Sequence, residues 1–162
     1  MMSIRFNADE IFAMAVQIER NGQAFYQQAA DMQKDETTRE YFMNLANMEK
    51  EHVTTFQKMK EQFSDVGESM DLYDEAGAYL ATMADGYKLE GSPRITAALT
   101  GSETIEEILR LAIGLEKDAV LFYLGMKDVV PEALGKNKID FIIEEEKQHL
   151  VTLTAELKKL KA

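Results

Sequence analysis

The chain has 162 residues, of which 46% are hydrophobic and 29% charged, and its net charge is −11. That is enough sequence for one sizeable core in a soluble, globular protein, and the acidic balance is unsuited to nucleic acid or to anionic membrane surfaces. Without cysteine it forms no disulfide, zinc ribbon, thiolate iron site or cysteine nucleophile.

The first residues contain no uninterrupted apolar core and no small-residue cleavage site, so no secretory signal is expected. No run reaches the ~18 apolar residues of a membrane helix, and the expected location is the cytoplasm. Asn7 to Glu10 reads as a capping box, after which apolar residues recur with helical period to about Ala30. Lys34 to Glu36 break that pattern. Thr37 to Glu40 offers a second capping box, for a helix running to about Phe63. Thr104 to Glu107 opens a third helix that Pro131 ends, and a fourth spans about Asn137 to Lys161. Between the second and third lies a glycine-rich stretch, 64–103, in which Asp71 to Tyr87 has the pattern of a shorter helix. No segment shows strand alternation.

The first pair of helices is tightly joined, and so is the last. The stretch between the pairs is far longer than antiparallel neighbours need. The expectation is one all-α domain, 1–162: hairpin 7–63, crossover 64–103 and hairpin 104–161. Together these form an antiparallel four-helix bundle of the ferritin-like topology.

The two hairpins repeat each other. Residues 18–26 align with 115–123 at an offset of 97, matching Glu19 to Glu116, Phe25 to Phe122 and Tyr26 to Tyr123. At the same offset Glu49-x-x-His52 falls on Glu146-x-x-His149, and these are the two histidines of the chain. At ~100° per residue, Ile139, Ile142, Ile143, Leu150, Leu153, Leu157, Leu160 and His149 all lie within about 60° of Glu146. Glu144 faces the opposite side and Glu145 flanks the stripe. Glu19, Glu49 and Glu116 sit mid-stripe in the same way, and no Lys or Arg shares those stripes.

Four carboxylates in one core are expensive, since each unpaired charge costs several kcal/mol even after relaxation. Protonation with raised pKa values is one escape. Two divalent cations are another: they cancel the charge of four carboxylates, and the two histidines supply one nitrogen to each. Glu-x-x-His puts both side chains on one face, one turn apart, as in bundle sites for two metals. Tyr26 and Tyr123, two turns beyond Glu19 and Glu116, read as core tyrosines with a polar handle, or as donors of a proton or hydrogen bond near the site. The ten methionines read as core filler, and Glu51, Glu68, Glu75 and Glu90 as surface residues.

The order Glu19, Glu49-x-x-His52, Glu116, Glu146-x-x-His149 resembles the di-iron domain of the rubrerythrins, over essentially the whole chain; the paired Glu-x-x-His motif is shared with bacterioferritins. The resemblance implies two iron ions bridged by Glu49 and Glu146. Glu19 and His52 would cap one ion, Glu116 and His149 the other. It implies a peroxidase that reduces hydrogen peroxide, with a rubredoxin as electron donor. Two departures stand out. No four-cysteine rubredoxin domain is present, so the donor must be separate. A further glutamate, common one turn after the third-helix ligand, is replaced by Ala119, matched in the first half by Gly22, and Asp118 lies at the wrong spacing to substitute. An iron that shifts between two ligands is therefore not expected, and the small residues would leave space for a small oxidant.

Manganese suits the same ligand types, and dioxygen is the other candidate oxidant. The competing readings are ferritin-like iron oxidation and storage, in a large assembly, and a non-catalytic metal-binding or structural bundle. A homodimer is compatible with the oxidoreductase reading.

Overall fold

In the computed structural model, residues 8–66, 75–88 and 99–162 are described. Five α-helices occur there in chain order: α1 (Ala8–Asp31), α2 (Glu36–Val66), α3 (Glu75–Lys88), α4 (Ile105–Val129) and α5 (Lys136–Leu160). The four long helices have 24, 31, 25 and 25 residues, so each is roughly 36–46 Å long at ~1.5 Å per residue. α1 packs along α2 and α4 along α5, with α1 also meeting α4 and α2 meeting α5. This is the expected ferritin-like bundle of two hairpins. α3 lies outside the four and packs on α4, where Tyr79 donates a hydrogen bond to the Leu121 carbonyl at 3.0 Å.

Local chemistry explains the helix ends, with one correction. Thr104 caps α4 as expected: its hydroxyl accepts from the Glu107 amide at 3.2 Å, and Glu107 accepts from the Thr104 amide at 3.4 Å. The Thr37 capping box does not form, because α2 begins a residue earlier, at Glu36. Asp35 takes the cap, accepting from the amide of Thr38 at 2.9 Å and from its hydroxyl at 2.8 Å. A charged carboxylate is the better acceptor for the free amides of a first turn. The Asn7 capping box falls outside the described residues, as do residues 71–74 of the short helix read from the sequence. Between α4 and α5, Pro131 opens a single 3-10 turn, Glu132–Leu134. Gly135 then reverses the chain at φ 103°, a left-handed conformation that costs glycine little.

The core has two parts. One gathers Ile11, Phe12, Val16, Val53, Phe56, Met59, Phe122, Met126, Ile139 and Ile142. The other gathers Phe25, Ala29, Phe42, Leu45, Ile108, Leu109 and Leu153. In each long helix the crossing from one part to the other falls at a single point: Glu19, Glu49, Glu116 or Glu146. The apolar stripes therefore close the bundle above and below one polar layer. Leu160, read as part of the α5 stripe, is 48% exposed at the helix end. Glu51 and Glu75 are exposed as expected; Glu68 and Glu90 lie outside the described residues.

Candidate metal centre

Among the described residues, the buried polar and charged side chains are Glu19, Glu49, His52, Glu116, Glu146 and His149. They are the six residues singled out in the sequence, and each is at most 4% exposed. They come from four helices because each stripe carries one glutamate near its middle, with a histidine one turn later on α2 and α5. Their oxygen and nitrogen atoms form two groups, Glu19–Glu49–His52–Glu146 and Glu49–Glu116–Glu146–His149, with one atom per residue lying within 4.8 Å of the others. Glu49 and Glu146 belong to both groups.

The imidazoles stack with centroids 6.3 Å apart, and both turn Nδ1 toward the carboxylates. His52 Nδ1 lies 3.3 Å from Glu19 Oε2 and 2.8 Å from Glu146 Oε1. His149 Nδ1 lies 3.2 Å from Glu146 Oε2, 3.3 Å from Glu116 Oε1 and 3.5 Å from Glu49 Oε1. Glu49 Oε1 and Glu146 Oε1 have no hydrogen-bond donor; the His52 contact to the latter is close but does not make a hydrogen bond. An acceptor oxygen buried without a donor costs about 1–3 kcal/mol, more if charged. Both orphaned oxygens sit on the two shared glutamates.

Without a cation, the layer balances its charge with protons. Burial raises the Glu49 pKa well above the ordinary carboxylate value, and the charges of Glu19, Glu146 and Glu116 raise it further. Burial and repulsion from Glu19 and Glu116 push Glu146 to about 8. Burial works the other way on the histidines. Its effect is outweighed by Glu146 and Glu19 at His52, which rises to about 11, and by Glu116 and Glu146 at His149, which rises to about 10. Glu116 resists its burial through contacts with Glu146 and His149 and stays below its ordinary value. Protons thus offset part of the layer's charge: the carboxylates favour the charged form of both imidazoles, and burial and repulsion drive Glu49 and Glu146 toward their neutral forms. Four oxygen-bearing and two nitrogen-bearing ligands, two orphaned shared oxygens and no buried Lys or Arg among the described residues form a donor set that fits a pair of hard or borderline divalent metals.

The tyrosines are more than core residues. Tyr26 donates its hydroxyl hydrogen bond to Glu116 Oε1, and Tyr123 donates to Glu19 Oε1 at 2.5 Å. Each tyrosine serves the glutamate of the other hairpin. Burial and the neighbouring Glu116 raise the Tyr26 pKa well above its usual value, so it remains a proton donor. Gly22 and Ala119 line a cavity with Ile18, Asn21, Leu115, Tyr26, Glu49 and Glu116. A Cβ at Gly22 would stand 3.0 Å from Glu49 Oε2, so glycine here keeps a shared carboxylate clear.

Glu145 went unrecognised in the sequence. Placed beside the stripe, it nonetheless lies 2.6 Å from His52 Nε2, reaching across to the other hairpin. Met48 likewise lies against His149, with Sδ 3.3 Å from Nε2. The signal was the offset itself, since 48 and 145 differ by 97, the residue before each shared glutamate.

The family model described as Rubrerythrin matches residues 6–88, a little over half of the chain. A crystal structure of a Thermotoga maritima protein described as a putative ferritin-like diiron-carboxylate protein matches with a TM-score of 0.69 and 24% identity, covering 95% of this chain and 96% of that one. That likeness shows the fold. No curated protein matches the sequence. No described helix is long and apolar enough to cross a membrane.

Proposed function

The chain belongs to the rubrerythrin family, and from that premise and its buried cluster we propose that it is a di-iron carboxylate oxidoreductase that reduces hydrogen peroxide. Glu49 and Glu146 would be shared by the two irons. Glu19 and His52 would complete one position, Glu116 and His149 the other. Bound iron supplies Lewis acidity and electrons for cleaving an oxygen–oxygen bond.

The remaining work belongs to the protein. Its two apolar cores keep bulk water from the layer. Tyr123 and Tyr26 hold Glu19 and Glu116 by charged hydrogen bonds and carry hydroxyl protons at the edge of the site. The cavity beside Gly22 and Ala119 suits a small oxidant rather than an organic substrate. The electron donor in this reading is a rubredoxin, whose metal centre these 162 residues, without cysteine, do not supply. Manganese would fit the same ligands.

The observation that carries this reading is the pair of four-residue groups sharing Glu49 and Glu146. The test is anaerobic loading with Fe(II), then mixing with peroxide or with dioxygen. Saturation near two irons per chain, faster oxidation by peroxide and turnover with reduced rubredoxin are expected. A loaded, reducible protein inert to peroxide would refute the peroxidase assignment. Uptake of many irons by a large shell would instead favour storage.

A further inference from the structure

The two imidazoles are backed by different chemistry. His52 Nε2 faces a Glu145 oxygen at 2.6 Å, on a side chain only 27% exposed. His149 Nε2 faces the Met48 thioether at 3.3 Å. Glu145 and Met48 occupy the same place in the repeat, so nothing in the bundle's geometry demands this difference. A metal-binding imidazole gives one nitrogen to the ion and keeps N–H on the other. The acceptor of that N–H fixes the tautomer and ring orientation and raises the ligand's basicity. A carboxylate is a charged acceptor, whereas thioether sulfur is a weak neutral one.

Building on the two-metal reading above, we propose that the two metal positions are inequivalent: the Glu19–His52 position binds more tightly and fills first. The Glu116–His149 position fills second and releases its ion first. Glu145 is the positioning residue for this order, acting through His52. The cavity beside Gly22 is lined by Glu116 and the shared Glu49, so the less tightly held ion is the one beside the small-molecule entry. A less basic imidazole leaves that ion the more Lewis acidic of the two.

The test is anaerobic titration of the metal-free protein with Co(II), read by ligand-field absorption and heat. A crystal loaded with one equivalent, with anomalous scattering at the cobalt edge, then locates the first ion. Two steps separated by roughly 10–100-fold are expected, the range that an outer hydrogen-bonding partner is worth, with the first ion at Glu19–His52. Glu145→Gln, which keeps an acceptor and loses the charge, should narrow the gap. Glu145→Met combined with Met48→Glu should reverse the filling order, which a merely structural role for Glu145 would not do. Equal occupancy at one equivalent, or an order unmoved by the exchange, overturns the inference while leaving two metals per chain intact. Absence of stoichiometric Co(II) binding would instead overturn the two-metal reading, and this inference with it.

Discussion

The first hairpin brings Glu19, Tyr26, Glu49 and His52 to the polar layer; the second brings Glu116, Tyr123, Glu146 and His149. Position by position they are equivalent at an offset of 97, yet neither hairpin completes its own half. Tyr26 serves Glu116 and Tyr123 serves Glu19, while His52 meets Glu145 and His149 meets Met48. Crossed contacts of this kind make the layer a joint between hairpins as well as a site. The halves differ around that layer, among other places at Met48 with Glu145 and at Gly22 with Ala119. Where the halves agree, the residues are those that would touch a metal. Where they differ, the residues surround those ligands, and there the two positions can acquire separate properties.

The largest effect should come from breaking the equivalence at the shared carboxylates. Glu49→Ala or Glu146→Ala removes an oxygen donor from both groups, so metal analysis should show loss of both ions. Glu19→Ala or Glu116→Ala removes a donor from one group and should leave about one ion per chain. Equal losses from all four variants would contradict the sharing of Glu49 and Glu146 between the groups. The affinity losses should exceed the ~10–100-fold typical of outer partners.

Next in size is the response to pH. Glu146 in the metal-free fold titrates at about 8 rather than 4.5, and His52 and His149 at about 11 and 10 rather than 6.5. All three bind protons more tightly folded than unfolded. Their contribution to stability is therefore complete below the ordinary values and is lost as pH rises through the folded ones. Thermal unfolding of the metal-free protein should show a midpoint that falls from about pH 5 up to about pH 11. Metals must displace these protons, so stabilisation by Mn(II) or Fe(II) should grow over the same range. At pH 7 in weak buffer, filling both positions should release protons, those on His52, His149 and Glu146 among them.

Much of this arrangement was readable in the sequence because it is periodic. A glutamate in the middle of an apolar stripe must point inward, and its recurrence with histidine at one offset ties four separate helices to one layer. Helix ends were readable where a single residue pair decides them, as at Thr104. They were misread where two acceptors compete, as at Asp35 and Thr37. The contacts of Tyr26, Tyr123, Glu145 and Met48 depend on how the hairpins dock, and a helical wheel holds no information about the neighbouring helix. For Glu145 the wheel gave a flanking position, and the fold turned that position toward His52.

The tyrosines test the symmetric part of the comparison. Tyr26→Phe and Tyr123→Phe each remove one hydrogen bond to a buried carboxylate, worth about 1.5–3 kcal/mol where the acceptor is charged. Since the contacts are crossed, Tyr26→Phe should disturb the Glu116 position and Tyr123→Phe the Glu19 position. Metal analysis and Co(II) absorption of the two variants should therefore change at opposite positions, with thermal midpoints lowered by similar amounts. A change at the position of each tyrosine's own hairpin would contradict the crossing.

The smallest effect on stability, and the most selective on the site, should follow Gly22→Ala. It makes the first half match Ala119 of the second. Alanine favours a helix over glycine by about 1 kcal/mol, but the new Cβ would lie 3.0 Å from Glu49 Oε2. The shared carboxylate must then move by a few tenths of an ångström, at a cost that offsets the gain in the backbone. Unfolding of the metal-free variant should stay within about 1 kcal/mol of the parent. The movement falls on the carboxylate that both four-residue groups share, and the methyl group narrows the cavity that Gly22 lines. Metal affinity and the rate of oxidation by peroxide should both fall. If peroxide oxidation keeps its rate while metal binding weakens, the oxidant reaches the site by a path other than the Gly22 cavity.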